Sequence, residues 1–140
     1  MASALEPIRA MIATAKSDTG VTARVSNRIY FGIAPENVVM PYIVLYAVAP
    51  DGPVRTFAST ADFQDTIYQW SIFDDNPSLM SATSVEKIAS DLDVAFDRVT
   101  LTTYSDASAI GCIREGGGFG PVWDGEVWQR SIDYRVMYKF

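Results

Sequence analysis

From Trp128 to Phe140 the sequence alternates strictly. Trp128, Ile132, Tyr134, Val136, Tyr138 and Phe140 take turns with Gln129, Ser131, Asp133, Arg135, Met137 and Lys139, and only Arg130 interrupts the apolar series. A period of two puts successive side chains on opposite faces of an extended chain, whereas a helix needs a period near 3.6. The segment therefore reads as a long antiparallel strand with one buried face and one mainly polar face. Asp62 to Phe73 is another strand, with Tyr68, Trp70 and Ile72 on one side and Ile67, Gln69, Ser71 and Phe73 on the other.

Other segments keep a helical period. Leu5, Ile8, Ile12 and Ala15 fall on one face of a helix predicted over residues 3–16. Its start is either a capping box of Ser3 with Glu6 or Pro7 as the first helical residue. Asp18 and Gly20 are expected to stop it, Gly20 as a left-handed cap. A second helix begins at Asn76-Pro77 and runs to about Phe96, with an apolar stripe of Val85, Ile88, Ala89, Leu92, Ala95 and Phe96. Ser84, Lys87, Ser90, Asp91 and Asp93 fall mostly on its wet side.

Between these lie shorter pieces. A strand is predicted from Arg24 to Phe31, a loop from Gly32 to Met40, and an apolar strand from Tyr42 to Ala49 with Pro41 at its edge. Pro50-Asp51-Gly52-Pro53 is a turn, followed by an extended loop to Ala61. Val99 to Thr103 and Ala109 to Glu115 are further strands, and Gly116 to Pro121 is a flexible Gly-rich loop. The order α-β-β-β-α-β-β-β has no regular β-α-β alternation. It predicts an α+β domain spanning residues 1–140: a mostly antiparallel twisted sheet with two helices packed on one face.

The chain offers little for catalysis. It has 140 residues, one cysteine and no histidine. Without imidazole there is no Ser-His-Asp triad, no Cys-His pair and no His metal ligand. The lone Cys112 excludes an internal disulfide and reads as a buried, inert thiol. The Gly-rich loop precedes a strand, so it lacks the strand–loop–helix context of a phosphate cradle. Asp91, Asp93 and Asp97 fail the calcium-loop pattern because Ala95 and Phe96 stand where a ligand and a glycine belong. Scattered carboxylates (Asp62, Asp65, Asp74, Asp75, Glu115, Asp124, Glu126) leave a histidine-free hydrolase conceivable but single out no pair. Arg24 and Arg28, on either side of Val25, read as solvated or salt-bridged. No cofactor and no metal are expected. A net charge of −6 disfavours tight binding of nucleic acid. No apolar run approaches the roughly 20 residues of a membrane span.

Aromatics are plentiful: seven Tyr, seven Phe and three Trp. Those on loops are candidates for contacts with other molecules. Residues 51–61 and 116–125 are the candidate contact loops, and Arg55, Phe57, Phe119 and Trp123 the candidate interface residues. Trp128 belongs to the core face of the last strand.

Several segments together resemble a known family. Arg28-Ile29-Tyr30 leads to Ala34-Pro35 and then Met40-Pro41-Tyr42-Ile43-Val44-Leu45. An aromatic strand follows, Ile67-Tyr68-Gln69-Trp70-Ser71-Ile72, and the chain closes with Arg130-Ser131-Ile132-Asp133-Tyr134-Arg135-Val136. This succession resembles the tail-completion, or tail-terminator, proteins of long-tailed bacteriophages and related prophage-like particles. The Gly-rich loop and the Trp-rich hairpin after it are longer than the family's pattern.

The resemblance implies a structural virion subunit without enzymatic activity or cofactor. Such subunits form a ring, usually a hexamer, on the head-proximal end of the tail tube. The ring ends tube growth and offers a docking surface to the head connector or stopper protein. DNA passes through its lumen without specific binding, and a carboxylate-lined wall would favour that passage. The expected partners are copies of the chain itself, the tail tube protein and the head connector. The expected place is the head–tail junction of a particle assembled in the host cytoplasm. Two other readings stay open: a neck or head-closure protein of the same particle, and a small-molecule-binding α+β cone.

Overall fold

A computed structural model of the chain describes residues 5–48, 52–54, 63–75, 79–101, 109–116 and 118–139. Their elements run α1 (Leu5–Ser17), α2 (Thr19–Val25), β1 (Ile29–Phe31), β2 (Tyr42–Ala47), β3 (Gly52–Val54), β4 (Phe63–Asp74), α3 (Leu79–Phe96), β5 (Val99–Leu101), β6 (Ala109–Arg114), β7 (Phe119–Trp123) and β8 (Trp128–Lys139).

The two long alternating segments pair with each other. β4 and β8 run antiparallel from Gln64 opposite Tyr138 to Asp74 opposite Trp128. This ribbon is the spine of an eight-stranded sheet ordered β1-β2-β4-β8-β6-β5. β2 and β3 share the far edge of β4 end to end, and β7 and β6 share the far edge of β8. The class is α+β, as the element order implies. The sheet is mixed, however, because β1 runs parallel to β2, and it curls into a half-barrel. A parallel neighbour requires a crossover, and residues 32–41 provide it.

The helices number three among the described residues, where two were expected. Residues 19–25 form a helix, so Arg24 and Val25 end a helix where the start of a strand was expected. Asp18 does not stop α1 so much as start α2. Its Oδ1 accepts from the Val21 N–H at 3.0 Å, and its carbonyl accepts from Thr22 N at 3.0 Å and Thr22 Oγ1 at 2.9 Å. Val21 and Val25, four apart, are both fully buried. That burial, worth about 1.5–3 kcal/mol for each valine, outweighs the β preference of valine and threonine. Gly20 lies inside this helix and caps nothing. A Cβ there would stand 3.2 Å from Asp18 Oδ1. Replacing the Asp18 cap by alanine costs about 1 kcal/mol.

One apolar cluster joins all three helices to one face of the sheet. Trp70, Tyr68, Tyr134, Phe96 and Met11 are its largest fully buried members. The Phe96 ring lies 5.6 Å from Trp70 and 5.8 Å from Tyr134. α3 buries Val85, Ile88, Ala89, Leu92 and Phe96 as its period requires. α1 is rotated from its predicted face: Ala10, Met11 and Ala15 are fully buried, while Ile8 and Ile12 are only partly covered.

The Gly-rich segment is the other correction. It forms no free loop, because Phe119–Trp123 makes β7 against β8. Gly118 and Gly120 have φ of 95° and 102°, a region that favours glycine. A Cβ on either would collide with a carbonyl oxygen of β8, that of Ser131 or Gln129. The glycines allow a close approach of two backbones, and Pro121 on the free edge withholds a donor from further pairing.

Candidate functional site

The sheet face away from the helices has no layer over it among the described residues. An antiparallel sheet with one solvated face usually presents polar side chains there. This face is half apolar. The strand registers place Tyr30, Val44, Ser71, Ser131 and Phe119 in one row across β1, β2, β4, β8 and β7. The next row holds Tyr42, Phe73, Gln129 and Val122. Tyr42 stacks on Phe73 at 5.0 Å, and Tyr30 meets Tyr42 edge-on at 6.2 Å. Val44, Ser71 and Ser131 in this face are almost wholly buried.

Tyr30 and Tyr42 belong to the segments that carry the family resemblance, and the structure joins those segments. Arg28 Nε donates to the Pro41 carbonyl at 2.8 Å, which fixes the Arg-Ile-Tyr strand beside the Pro-Tyr strand. Met40–Pro41 is a cis peptide. Burial raises the Tyr42 hydroxyl above its usual range, with the nearby Tyr46 adding to the shift.

On the other side of the Ser71–Ser131 row the next row holds Tyr46, Gln69 and Asp133, and beyond it the face carries Arg135 and Asp65. Gln69 donates to Asp133 Oδ1 at 3.0 Å and accepts from Ser71 Oγ at 3.1 Å. Arg135 bridges two carboxylates, Asp65 at 2.5 Å and Glu115 at 2.9 Å. The guanidinium holds the Glu115 carboxyl below the usual range, and its own acidity falls further. Two carboxylates thus hold one guanidinium, and the third, Asp133, has no ion-pair partner among the described residues. Sequence alternation put Gln129, Ser131, Asp133 and Arg135 on one face. It could not show the network, because Asp65 and Glu115 arrive from other strands.

The expected interface residues are placed unequally. Arg55 and Phe57 lie outside the described residues. Phe119 is 47% exposed on the helix-free face, on the same strand as Val122 and one strand from Asp133. Trp123 points to the other side and packs its ring 5.6 Å from Trp128, half-buried. Trp128 itself packs against the core. A second exposed apolar group, which the sequence reading left in a loop, comprises Ile33 and Val39 at 82% and 64% exposure.

Little here resembles a reaction centre. No group of three or more His, Cys, Asp or Glu side chains is placed to hold a metal among the described residues. A polar cleft of about 190 Å³ lies between α3 and β8, lined by Glu86, Ser90, Asp93, Arg114 and Arg130 among others. Its charges close on each other as Arg130–Glu86 at 2.8 Å and Arg114–Asp93 at 3.6 Å. Asp93 also accepts from the buried Tyr134 hydroxyl at 2.9 Å, and Asp91 pairs with Arg24 at 2.7 Å. These helix carboxylates thus tie elements together; the sequence reading placed them on a wet face. Cys112 is buried, and burial with the nearby Asp97 pushes its thiol up to about 12. A thiol so rarely ionised is a poor nucleophile.

What the fold defines is an α+β protein whose uncovered, aromatic and acidic sheet face suits protein contacts better than chemistry. No family model and no curated protein matches the sequence. Among solved structures, a chain in the virion of a native gene transfer agent particle has the same fold. It aligns with a TM-score of 0.74 and 13% identity over 99% of this chain and 98% of that one. A second solved chain aligns with a TM-score of 0.64 and 13% identity over 94% of this chain and 96% of that one.

Proposed function

We propose that this chain is a structural subunit of a phage-like particle, and that its copies form a ring on the head-proximal end of the tail tube. The ring ends tube growth and docks the head connector. The observation that carries the reading is the end-to-end likeness to a chain of a gene transfer agent virion, with almost nothing left over on either side. The resemblance of the Arg28–Tyr30, Pro41–Tyr42 and Arg130–Val136 segments to tail-completion proteins points the same way. The uncovered face adds a physical reason, since exposed aromatics flanked by polar groups are typical of contact surfaces. A ring also requires two different complementary surfaces on each subunit.

Electron microscopy of particles labelled on this chain tests the placement. The expected label sits at the tube end nearest the head, in complete particles and in headless tails. Label in complete particles but not in headless tails would assign the chain to head closure instead. Label along the tube or on the capsid would reject the reading altogether.

A further inference from the structure

The helix and sheet sides of the molecule carry opposite, unmatched features. α1 buries Ala10, Met11 and Ala15, yet Ile8, Ile12 and Ala13 line an open groove of about 330 Å³ flanked by Arg9 and Lys16. Both cations are exposed, and neither has an ion-pair partner among the described residues. The helix-free face presents the reverse: Phe119 and Val122 project beside an acidic patch in which Asp133 has no ion-pair partner among the described residues.

We infer that α1 of one copy seats on the helix-free sheet face of the next, with Phe119 entering the Ile8–Ile12 groove and Lys16 meeting Asp133. The inference rests on the ring reading and names the surfaces such a ring would use. The spacings agree. Phe119 lies one strand over and two residues along from Asp133, roughly 8 Å by strand geometry. On α1, Lys16 stands one turn beyond Ile12, about 6 Å along the axis. The two faces lie on opposite sides of one chain, so the contact is head-to-tail and uses each surface once per subunit. Repetition of such a contact closes a ring or extends a filament. A second copy is the occupant because each surface supplies the charge and the apolar shape that the other lacks.

Charge reversal tests the contact. Sedimentation equilibrium of the full chain, with and without purified tail tubes, measures assembly. Lys16→Glu alone should weaken association about tenfold, Asp133→Lys alone likewise, and Phe119→Ser at least about tenfold. The double variant carrying both reversals should recover most of the association. Asp133→Asn keeps an acceptor for Gln69 and removes only charge, so it should weaken association in the same direction without unfolding the sheet. Circular dichroism confirms that each variant is folded. If the wild type assembles and the single variants assemble as well as it does, or the double reversal restores nothing, this contact is wrong and the ring reading stands. A wild type that stays monomeric under every condition overturns both.

Discussion

Arg28 Nε lies 2.8 Å from the carbonyl oxygen of Pro41, so the guanidinium closes the crossover between the parallel strands β1 and β2. β1 has only three residues, too few to hold a parallel register by ladder bonds alone. The side-chain bond substitutes for missing strand length. Arg28→Met keeps much of the aliphatic stem and removes the donor. The expected loss is about 1–2 kcal/mol in urea unfolding, with faster amide exchange at Ile43 to Leu45. Unchanged exchange there would show that β1 is held by its core contacts alone.

Gly118 and Gly120 make a sharper prediction. Both have positive φ, and at both a Cβ would run into a β8 carbonyl. Gly118→Ala and Gly120→Ala should each lower stability by about 2 kcal/mol or more and detach β7 from β8. Gly116 also has positive φ, but open space surrounds it. Gly116→Ala should cost only about 1 kcal/mol. Equal effects at all three positions would mean that the backbone angle matters and the close approach does not.

Tyr134 joins β8 to α3 through its hydroxyl on Asp93 Oδ1. Burial, then that bond, pushes the hydroxyl far above its usual range. Tyr134→Phe should lower stability by about 1–2 kcal/mol, since the acceptor is a charged group left with Arg114 alone. In the wild type, phenolate absorption from this residue should be missing until the protein unfolds in alkali. A tyrosine ionising near pH 10 that disappears in the Tyr134→Phe spectrum would contradict this placement.

The long elements could be read from the sequence because their periods are pure. The alternation of Trp128 to Lys139 and of Tyr68 to Ile72 depends only on which face is buried, though it does not say that the two strands pair. α3 is legible for the same reason at a period of 3.6. The helix over residues 19–25 is not legible, because Asp18 and Gly20 read as a stop and Val25 as the start of a strand, against a cap and a burial that only tertiary contacts reveal. The glycines of residues 116–120 looked like slack, since sequence cannot distinguish a glycine that frees a loop from one that lets two backbones touch. Phe119 was selected as an interface residue from its loop-like surroundings, and it lies exposed on a strand. The acidic patch stayed hidden because Asp65, Glu115 and Asp133 come from three separate stretches of chain.

That patch ties the fold to pH. Arg135 hydrogen-bonds Glu115 through both Nε and Nη2, and this holds the carboxyl below the ordinary glutamate value. A depressed folded-state value means that the bridge stabilises the protein once pH exceeds the unfolded carboxyl's range. Its contribution is lost as pH falls through the lower, folded value. Arg135→Gln removes the cause. The Glu115 side-chain carbon, followed by NMR, should then titrate higher, near the ordinary value. The stability curve should also flatten between roughly pH 5 and pH 3, because one fewer group binds its proton more weakly folded than unfolded. The effect should shrink in high salt, since both partners are partly exposed. If Glu115 titrates unchanged in the variant, the guanidinium is not what lowers it, and the acidic face owes its ionisation to some other group.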